Sequence, residues 1–390
     1  MSNKKVFSYI VAARLILNLA DSFFFMVVLW HFTALSPIYV GLIMFFYSAS
    51  DVCSIFFGPI IDRLETKQSL YMAAGLQMLI TILSMLLLAV FGLEKECLPL
   101  VFIAAVSSSI SYNIQETLVP LLIEDEYLTK ANSILHLSDQ SADLIFNAIA
   151  GISIVYFSLT QLLSFDVLLF FLAILFVRKI TFKKFSPTYE KEDFSYQGYK
   201  EDLKLGLREL LAAKYLVYLG PLLIVNFFVS ILNVAMPIFS TQFAEPSKVY
   251  GLLMGISGGA AILASLFLQK VSLRIKQVLV LFGILDGIAY LLMDLIPNLY
   301  LVYLFYALSG FSSALINIHY ETAFQKLMQK NMVGRINTAI ESSICLAMPI
   351  GALVGGALLK VIDVRVTFIL YAVISAVLSL WYLLRLDRNA

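Results

Sequence analysis

Twelve long apolar runs alternate with short polar connections along this chain. A helix needs about 20 apolar residues to cross the hydrocarbon core of a bilayer. The runs predict spans near 6–32, 38–61, 68–92, 98–123, 131–156 and 161–178, then 215–240, 248–270, 275–295, 298–324, 333–360 and 363–385. Polar positions within the spans are sparse and periodic. The first carries Arg14, Asn18 and Asp21, and the seventh carries Asn226, Ser230 and Asn233. Both sets have an i, i+4, i+7 spacing, which paints one polar stripe on one helix face. Polar side chains at membrane depth rarely point at lipid, so each stripe is expected to face a protein interior or a wet cavity. Matching stripes in two half-chains predict a carrier with its binding site between the halves.

The pattern also divides the chain. Residues 1–180 and 213–390 each hold six spans, and the polar segment 181–212 links them. Near the end of that segment Tyr199, Leu203, Leu207 and Leu210 recur at helical spacing among charges. That spacing predicts a short amphipathic helix on the membrane surface, although a solvated tether is the simpler reading. A second echo links the halves: Glu116-Thr117 precedes Asn132-Ser133 as Glu321-Thr322 precedes Asn337-Thr338, with Asn113 and Asn317 just ahead of each pair. The expected fold is therefore all-α and integral to the membrane, with twelve transmembrane helices in two pseudo-symmetric six-helix bundles.

Composition agrees, at 61% hydrophobic and 14% charged, far from a soluble domain. The near-neutral net charge adds little, but the placement of the basic residues adds an orientation. Of the 27 Lys and Arg, only Lys95, Lys248, Lys360 and Arg365 fall in one set of loops, and Arg14 lies within a span. The rest crowd the other face, which is expected to be cytoplasmic and to hold both termini. The first run comes after Lys4 and Lys5 like a signal peptide, but it is too long and contains Arg14 and Asp21. Three scattered cysteines, with Cys97 expected at an outer loop, form no disulfide framework. The three histidines show no metal-ligand spacing, no hydrolase nucleophile motif appears, and no cofactor is expected.

Acids within the spans are the candidate chemistry. Asp139, Asp143 and Asn147 share a face of span 5, while Asp21 and Asp51 lie near mid-depth on spans 1 and 2. Facing lipid, Asp21, Asp51, Asp139, Asp143 and Arg14 would cost about 2.5–3.5 kcal/mol each on insertion scales. They are expected to face inward, to pair, or to be protonated. A carboxylate withdrawn from water binds a proton more readily, so it can load and release one as a cavity opens and closes. The competing reading is structural, with Arg14 neutralising an acid and fixing helix packing. Asp166, Asp286 and Asp294 sit closer to span ends or without evident partners, and are read as structural.

Gly58, Asp62, Arg63 and Lys67, in Gly58-Pro59-Ile60-Ile61-Asp62-Arg63, resemble the loop 2–3 signature Gly-x-x-x-Asp-Arg-x-Gly-Arg-Lys of the major facilitator superfamily. The second Gly and second Arg of that signature are here Glu65 and Thr66. Pro120 with Leu128–Ser133, and Gly334-Arg335 with Pro349, Gly351, Gly355 and Gly356, are similar to the macrolide-efflux-like branch of the drug–proton antiporters. The resemblance covers nearly the whole chain. It implies that Asp62 faces helix 11 and latches one conformation, with Gly58, Arg63 and Lys67 completing the gate. The physics of the position agrees: Gly58 permits close helix approach, and a carboxylate suits a helix N-terminus. Two antiporter features depart from the pattern. Tyr112 to Glu116 offers no basic residue in helix 4, and helix 5 keeps only Gly151 of the glycine-proline motif.

Aromatic residues flank the polar stripes, which suits a large amphiphilic ligand held by sparse hydrogen bonds. The expected substrate-binding set is Asn18, Phe24, Tyr47, Tyr112, Asn113, Asn226, Phe227, Ser230, Asn233 and Asn317. Charge in the first half and neutral polar groups in span 7 suggest proton handling in one and recognition in the other. The glycines of spans 8 and 11 are expected to allow close helix contacts. The expected function is export of hydrophobic or amphiphilic, drug-like compounds by proton antiport from a monomer in the bacterial plasma membrane, with no nucleic-acid partner. A lipid or glycolipid flippase and a peptide-antibiotic self-immunity exporter of the same fold want a similar cavity. An intramembrane enzyme lacks its motifs, and a channel lacks pore-lining repeats around one axis.

Overall fold

A computed structural model of the protein describes residues 3–61, 66–122, 145–179, 208, 213–296, 298–327 and 333–386. Backbone polar groups in lipid must be satisfied within the segment, and helices do this wherever the apolar runs occur. The first six are α1 (Asn3–Thr33), α2 (Pro37–Ile61), α3 (Thr66–Met85), α4 (Glu94–Leu122), α5 (Ile145–Tyr156) and α6 (Leu159–Lys179). The second six are α7 (Ala213–Ser240), α8 (Pro246–Leu268), α9 (Ile275–Leu295), α10 (Leu299–Leu327), α11 (Val333–Leu358) and α12 (Val364–Arg385). Twelve helices and no strand are thus present among the described residues, the all-α membrane fold that the hydropathy pattern predicts. Nine described segments are long and apolar enough to cross a bilayer, and the described apolar parts of α2, α5 and α11 are shorter.

The helices gather into two compact units. One holds α1–α6 with residues 243–252, and the other holds α7, the remainder of α8 and α9–α12. In the first, α1 packs on α6, α2 on α4, and α3 on both α4 and α6. In the second, α7 packs on α11 and α12, and α9 on both α10 and α12. The pairs α1/α6, α3/α4 and α3/α6 recur six helices later as α7/α12, α9/α10 and α9/α12, so the internal repeat is a repeat of packing as well as of sequence.

Small residues set the closest approaches. A side chain on Gly351 would overlap the Phe227 carbonyl oxygen, and one on Gly355 would meet the Ile231 Cα at 3.1 Å, so α11 lies flush against α7. In the first unit a side chain on Gly151 would come within 2.8 Å of the Gly251 Cα. Helix α3 runs on into a π-turn at Leu86–Phe91, and its counterpart α9 contains one at Val278–Phe282. The first closes on Gly92, whose φ of 63° only glycine adopts readily. Cys97 corrects the expectation of an outer-loop thiol. Helix α4 starts at Glu94, earlier than the hydropathy suggests, and its first turn carries Cys97 inward to 0% exposure beside Ser84.

Candidate functional site

Polar groups in the first unit converge on Asp21. Gln77 Nε2 donates to Asp21 Oδ1, and Ser108 hydrogen-bonds the same carboxyl, so α3 and α4 both reach α1 at this point. One turn along α3 from Gln77, Thr81 donates to Asp166 Oδ2 on α6 at 3.0 Å. Asp166 is 0% exposed, and its other oxygen is buried without a hydrogen-bond partner. Tyr47 of α2 lies within electrostatic range of both carboxyls, which also sense one another. Asp21, Phe24, Tyr47, Gln77, Thr81, Ala104 and Phe170 enclose one small cavity, and no basic residue is among them. The i, i+4 spacing of Gln77 and Thr81 thus holds two acids from two other helices on one face of α3.

The second unit has its own buried carboxyl, at the seam matching α3/α6. Asp286 of α9 is 3% exposed; it accepts from Ser309 Oγ of α10 at 2.5 Å and from Tyr371 OH of α12 at 2.5 Å. Tyr371 stands edge-on to Tyr290, with ring centroids 5.2 Å apart, and Tyr290 in turn meets Tyr306. Further along the seam, Ser375 and Ser379 of α12 donate to the carbonyls of Gly283 and Leu279. These hydroxyls cover backbone oxygens around the π-turn, as buried serines in membrane helices do. Tyr371, Ser375 and Ser379 recur every four residues, so one stripe of α12 supplies all three of these donors. Asp166 and Asp286 therefore have definite hydroxyl partners, contrary to the expectation from sequence. Asp286 thus places a buried carboxyl in the half whose span 7 stripe is neutral. Asp294 ion-pairs Arg365 at 3.4 Å near the end of its span.

The other expected residues scatter. Phe24 and Tyr47 join Asp21 in the small cavity, and Tyr47 stands edge-on to Phe25 at 4.6 Å. Arg14 is buried, with its guanidinium 5.0 Å from the centroid of the Tyr112 ring, so it stacks on α4 two turns away from Asp21. Asn18, Asn113, Phe227 and Asn233 are half-buried, and Asn317 is exposed. Asn226 donates to the Leu222 carbonyl of its own helix at 2.9 Å. Ser230 corrects the expectation of a ligand-facing stripe: it is 1% exposed and donates to the Met348 carbonyl of α11 at 2.6 Å. Gly351 brings α11 against its face of α7, and packing occupies that face. Asp62, Arg63, Asp139 and Asp143 lie outside the described residues. The side chains of Asp51 and Lys67 do too, while Gly58 sits in the last turns of α2.

Chemically, the arrangement offers carboxyl groups held by neutral donors in low-dielectric surroundings, which is a means of carrying a proton or of fixing helices. Among the described residues no three His, Cys, Asp or Glu side chains gather to hold a metal ion. The family model described as Major Facilitator Superfamily matches residues 11–349 and again 222–390. Among solved structures, the nucleoside transporter NupG is similar with a TM-score of 0.76 at 13% identity, covering 98% of both chains. A bacterial homologue of the iron transporter ferroportin, in an inward-facing state, matches with a TM-score of 0.70 at 15% identity over 99% of this chain and 100% of that one. A POT family transporter in complex with 5-aminolevulinic acid gives 0.68 at 16% identity over 95% and 94%. No functionally curated protein matches the sequence.

Proposed function

The chain belongs to the major facilitator superfamily, and from that membership we propose that this secondary transporter exports hydrophobic or amphiphilic, drug-like compounds in exchange for protons. The neighbouring structures are a nucleoside transporter, a bacterial homologue of an iron transporter and a POT family transporter in complex with 5-aminolevulinic acid, so the shared fold leaves the substrate to the residues of this chain. The observation that carries the reading is the Asp21–Asp166 pair: two carboxyls within the spans, Asp166 fully buried and Asp21 half-buried, hydrogen-bonded to Gln77, Ser108 and Thr81, with no basic residue lining the small cavity at Asp21. For such groups a proton is the counter-charge of least cost. Loading and releasing it changes the charge that α1, α3 and α6 must bury, which biases one conformation of the unit over another. Asp139 and Asp143 join this role as the acids of span 5. Asp51 and Arg14 complete the proposed proton-handling set, and Gly58, Asp62, Arg63 and Lys67 form the gate. The loops rich in Lys and Arg, and both termini, lie on the cytoplasmic side of a bacterial plasma membrane.

Inside-out vesicles test the coupling. An imposed proton gradient drives accumulation of a macrolide or a lipophilic dye in the wild type. Asp21→Asn and Asp166→Asn keep gradient-independent counterflow but lose driven accumulation, because the amide preserves the neutral shape and does not titrate. Wild-type accumulation in Asp21→Asn would exclude that acid as a carrier, and the same result in Asp139→Asn/Asp143→Asn would exclude the span 5 pair.

A further inference from the structure

The two units carry buried acids in one register. Helix α10 (Leu299–Leu327) begins and ends 205 residues after α4 (Glu94–Leu122), and α12 begins 205 residues after α6. At that interval Thr81 falls on Asp286, and Asp166 falls on Tyr371. The bond from Thr81 to Asp166 across the α3/α6 seam thus recurs as the bond from Tyr371 to Asp286 across the α9/α12 seam. Donor and acceptor have changed places. The carboxyl stands on α6 in the first unit and on α9 in the second, and each accepts from a hydroxyl of the facing helix.

The second unit adds two hydroxyls that the first lacks. Ser309 stands where the first unit has Ala104, and Tyr290 where it has Met85. Tyr290 hydrogen-bonds Ser309, and Ser309 donates its one proton to Asp286 Oδ1 at 2.5 Å. The Tyr290 hydroxyl is therefore the donor in the bond it shares with Ser309. A continuous chain runs from half-buried Tyr290, through Ser309 at 5% exposure, to Asp286 at 3%.

No cation answers this carboxyl among the described residues. Helix α9 packs on α10 and α12, and the titratable groups that face Asp286 from them are phenols, Tyr306 and Tyr371, with Tyr290 on its own helix. The basic residues of the three helices are engaged elsewhere or sit at helix ends. Lys276 is held on the Leu386 carbonyl, and Arg365 pairs with Asp294. Arg385 lies over the Trp381 ring, and Lys326 occupies the last turn of α10. His319 Nδ1 is held on the Leu315 carbonyl. A buried carboxylate without a counter-charge is costly, and a proton removes that cost.

We propose that Asp286 is a proton-binding group of the transport cycle, loaded through Tyr290 and Ser309. The role rests on the proton-antiport reading above and extends it to the second half. A proton arriving at the Tyr290 oxygen sends the Tyr290 proton to Ser309 Oγ and the Ser309 proton to Asp286 Oδ1. One proton enters, one carboxyl is neutralised, and both hydroxyls stay neutral. Tyr371 holds the other carboxyl oxygen, so loading and unloading alter the bond that ties α9 to α12.

Infrared difference spectroscopy of the full-length protein in liposomes, titrated with pH, tests the assignment. A carboxylic-acid C=O band that fades as pH rises in the wild type is missing from Asp286→Asn. Tyr371→Phe takes a hydrogen bond from the acid and moves the same band to higher frequency. Identical wild-type and Asp286→Asn spectra, or a band that persists at every pH, would overturn the site. Ser309→Ala slows the rise of the band after a pH drop, and Ser309→Thr restores the rate; an unchanged rate in Ser309→Ala would exclude the path. In proteoliposomes carrying a lipophilic dye, the proton-to-dye ratio falls by about one in Asp286→Asn, and an unchanged ratio would remove Asp286 from the cycle. Absence of proton-driven dye accumulation in the wild type would instead refute the antiport reading, whatever the band shows. Should Asp286→Asn fail to fold, the Tyr371→Phe shift decides alone, and an unmoved band counts against the site.

Discussion

Tyr371→Phe is the sharpest probe of the second unit. It deletes one hydroxyl and leaves Asp286 Oδ2 without its 2.5 Å donor, at a site where the carboxyl is 3% exposed and water has no easy access. Removing one partner of a buried polar group costs about 1–3 kcal/mol. Interhelical hydrogen bonds in membrane bundles average about 0.6 kcal/mol and reach roughly 1.7, because the unfolded helices also find partners. Asp286 takes donors from two different helices, so the upper end applies, and the expected loss is about 1.5 kcal/mol. Asp286→Met/Tyr371→Phe removes the carboxyl and the Tyr371 hydroxyl and leaves the Ser309 hydroxyl its hydrogen bond to Tyr290, so stability should return to within about 0.5 kcal/mol of wild type. Reversible unfolding in mixed micelles reads both changes. Unaltered stability in Tyr371→Phe, or a double variant worse than the sum of its singles, would refute the argument. Transport by the rescued double variant then separates two roles: a helix clamp survives the exchange, and a proton carrier does not.

Packing and topology give further expected outcomes. Gly287→Ala should cost about 1–3 kcal/mol, because its new methyl meets the Ala372 Cα and the Ser375 Cβ at 3.1 Å and neither can turn aside. Gly283→Ala should cost less, since it meets only the Ser379 side chain, whose hydroxyl can rotate; equal losses in thermal unfolding would contradict this. Ser230→Ala should lower stability by about 0.6 kcal/mol and leave substrate affinity unchanged, and a shift in substrate affinity would return Ser230 to the ligand-facing stripe. For topology, an impermeant maleimide should label Lys360→Cys from outside intact cells while buried Cys97 stays unreacted until unfolding. Labelling of Lys360→Cys from the cytoplasmic side alone would invert the orientation.

The spans were legible because hydropathy over 20 residues is a bulk property that lipid reads in the same way. The run at 275–295 coincides with α9, and the run at 215–240 differs from α7 by two residues at its start. Chemistry at the seams was less legible. Thr81 and Asp166 meet across 85 residues of sequence, as do Asp286 and Tyr371, and helical spacing names a face without naming the helix opposite. One signal was available: Tyr371, Ser375 and Ser379 form a four-residue polar stripe in an apolar span, which by the reasoning applied to α1 and α7 implied a buried partner. The stripe of α7 shows the converse. Its spacing placed Ser230 correctly on an inward face, but small residues in α11 closed that face.

The π-turn at Val278–Phe282 sets the direction in which α9 points its acid. A π-turn accommodates one residue more than an α-helical turn, and each residue rotates the rest of the helix by about 100° around the axis. Deleting one residue there would leave composition and span length nearly intact, yet swing Asp286 a quarter-turn or more away from Ser309 and Tyr371. The extra residue thus acts as a rotational spacer. In this chain a single-codon deletion at that turn would re-aim the charge of α9 more than most substitutions at Asp286 itself would.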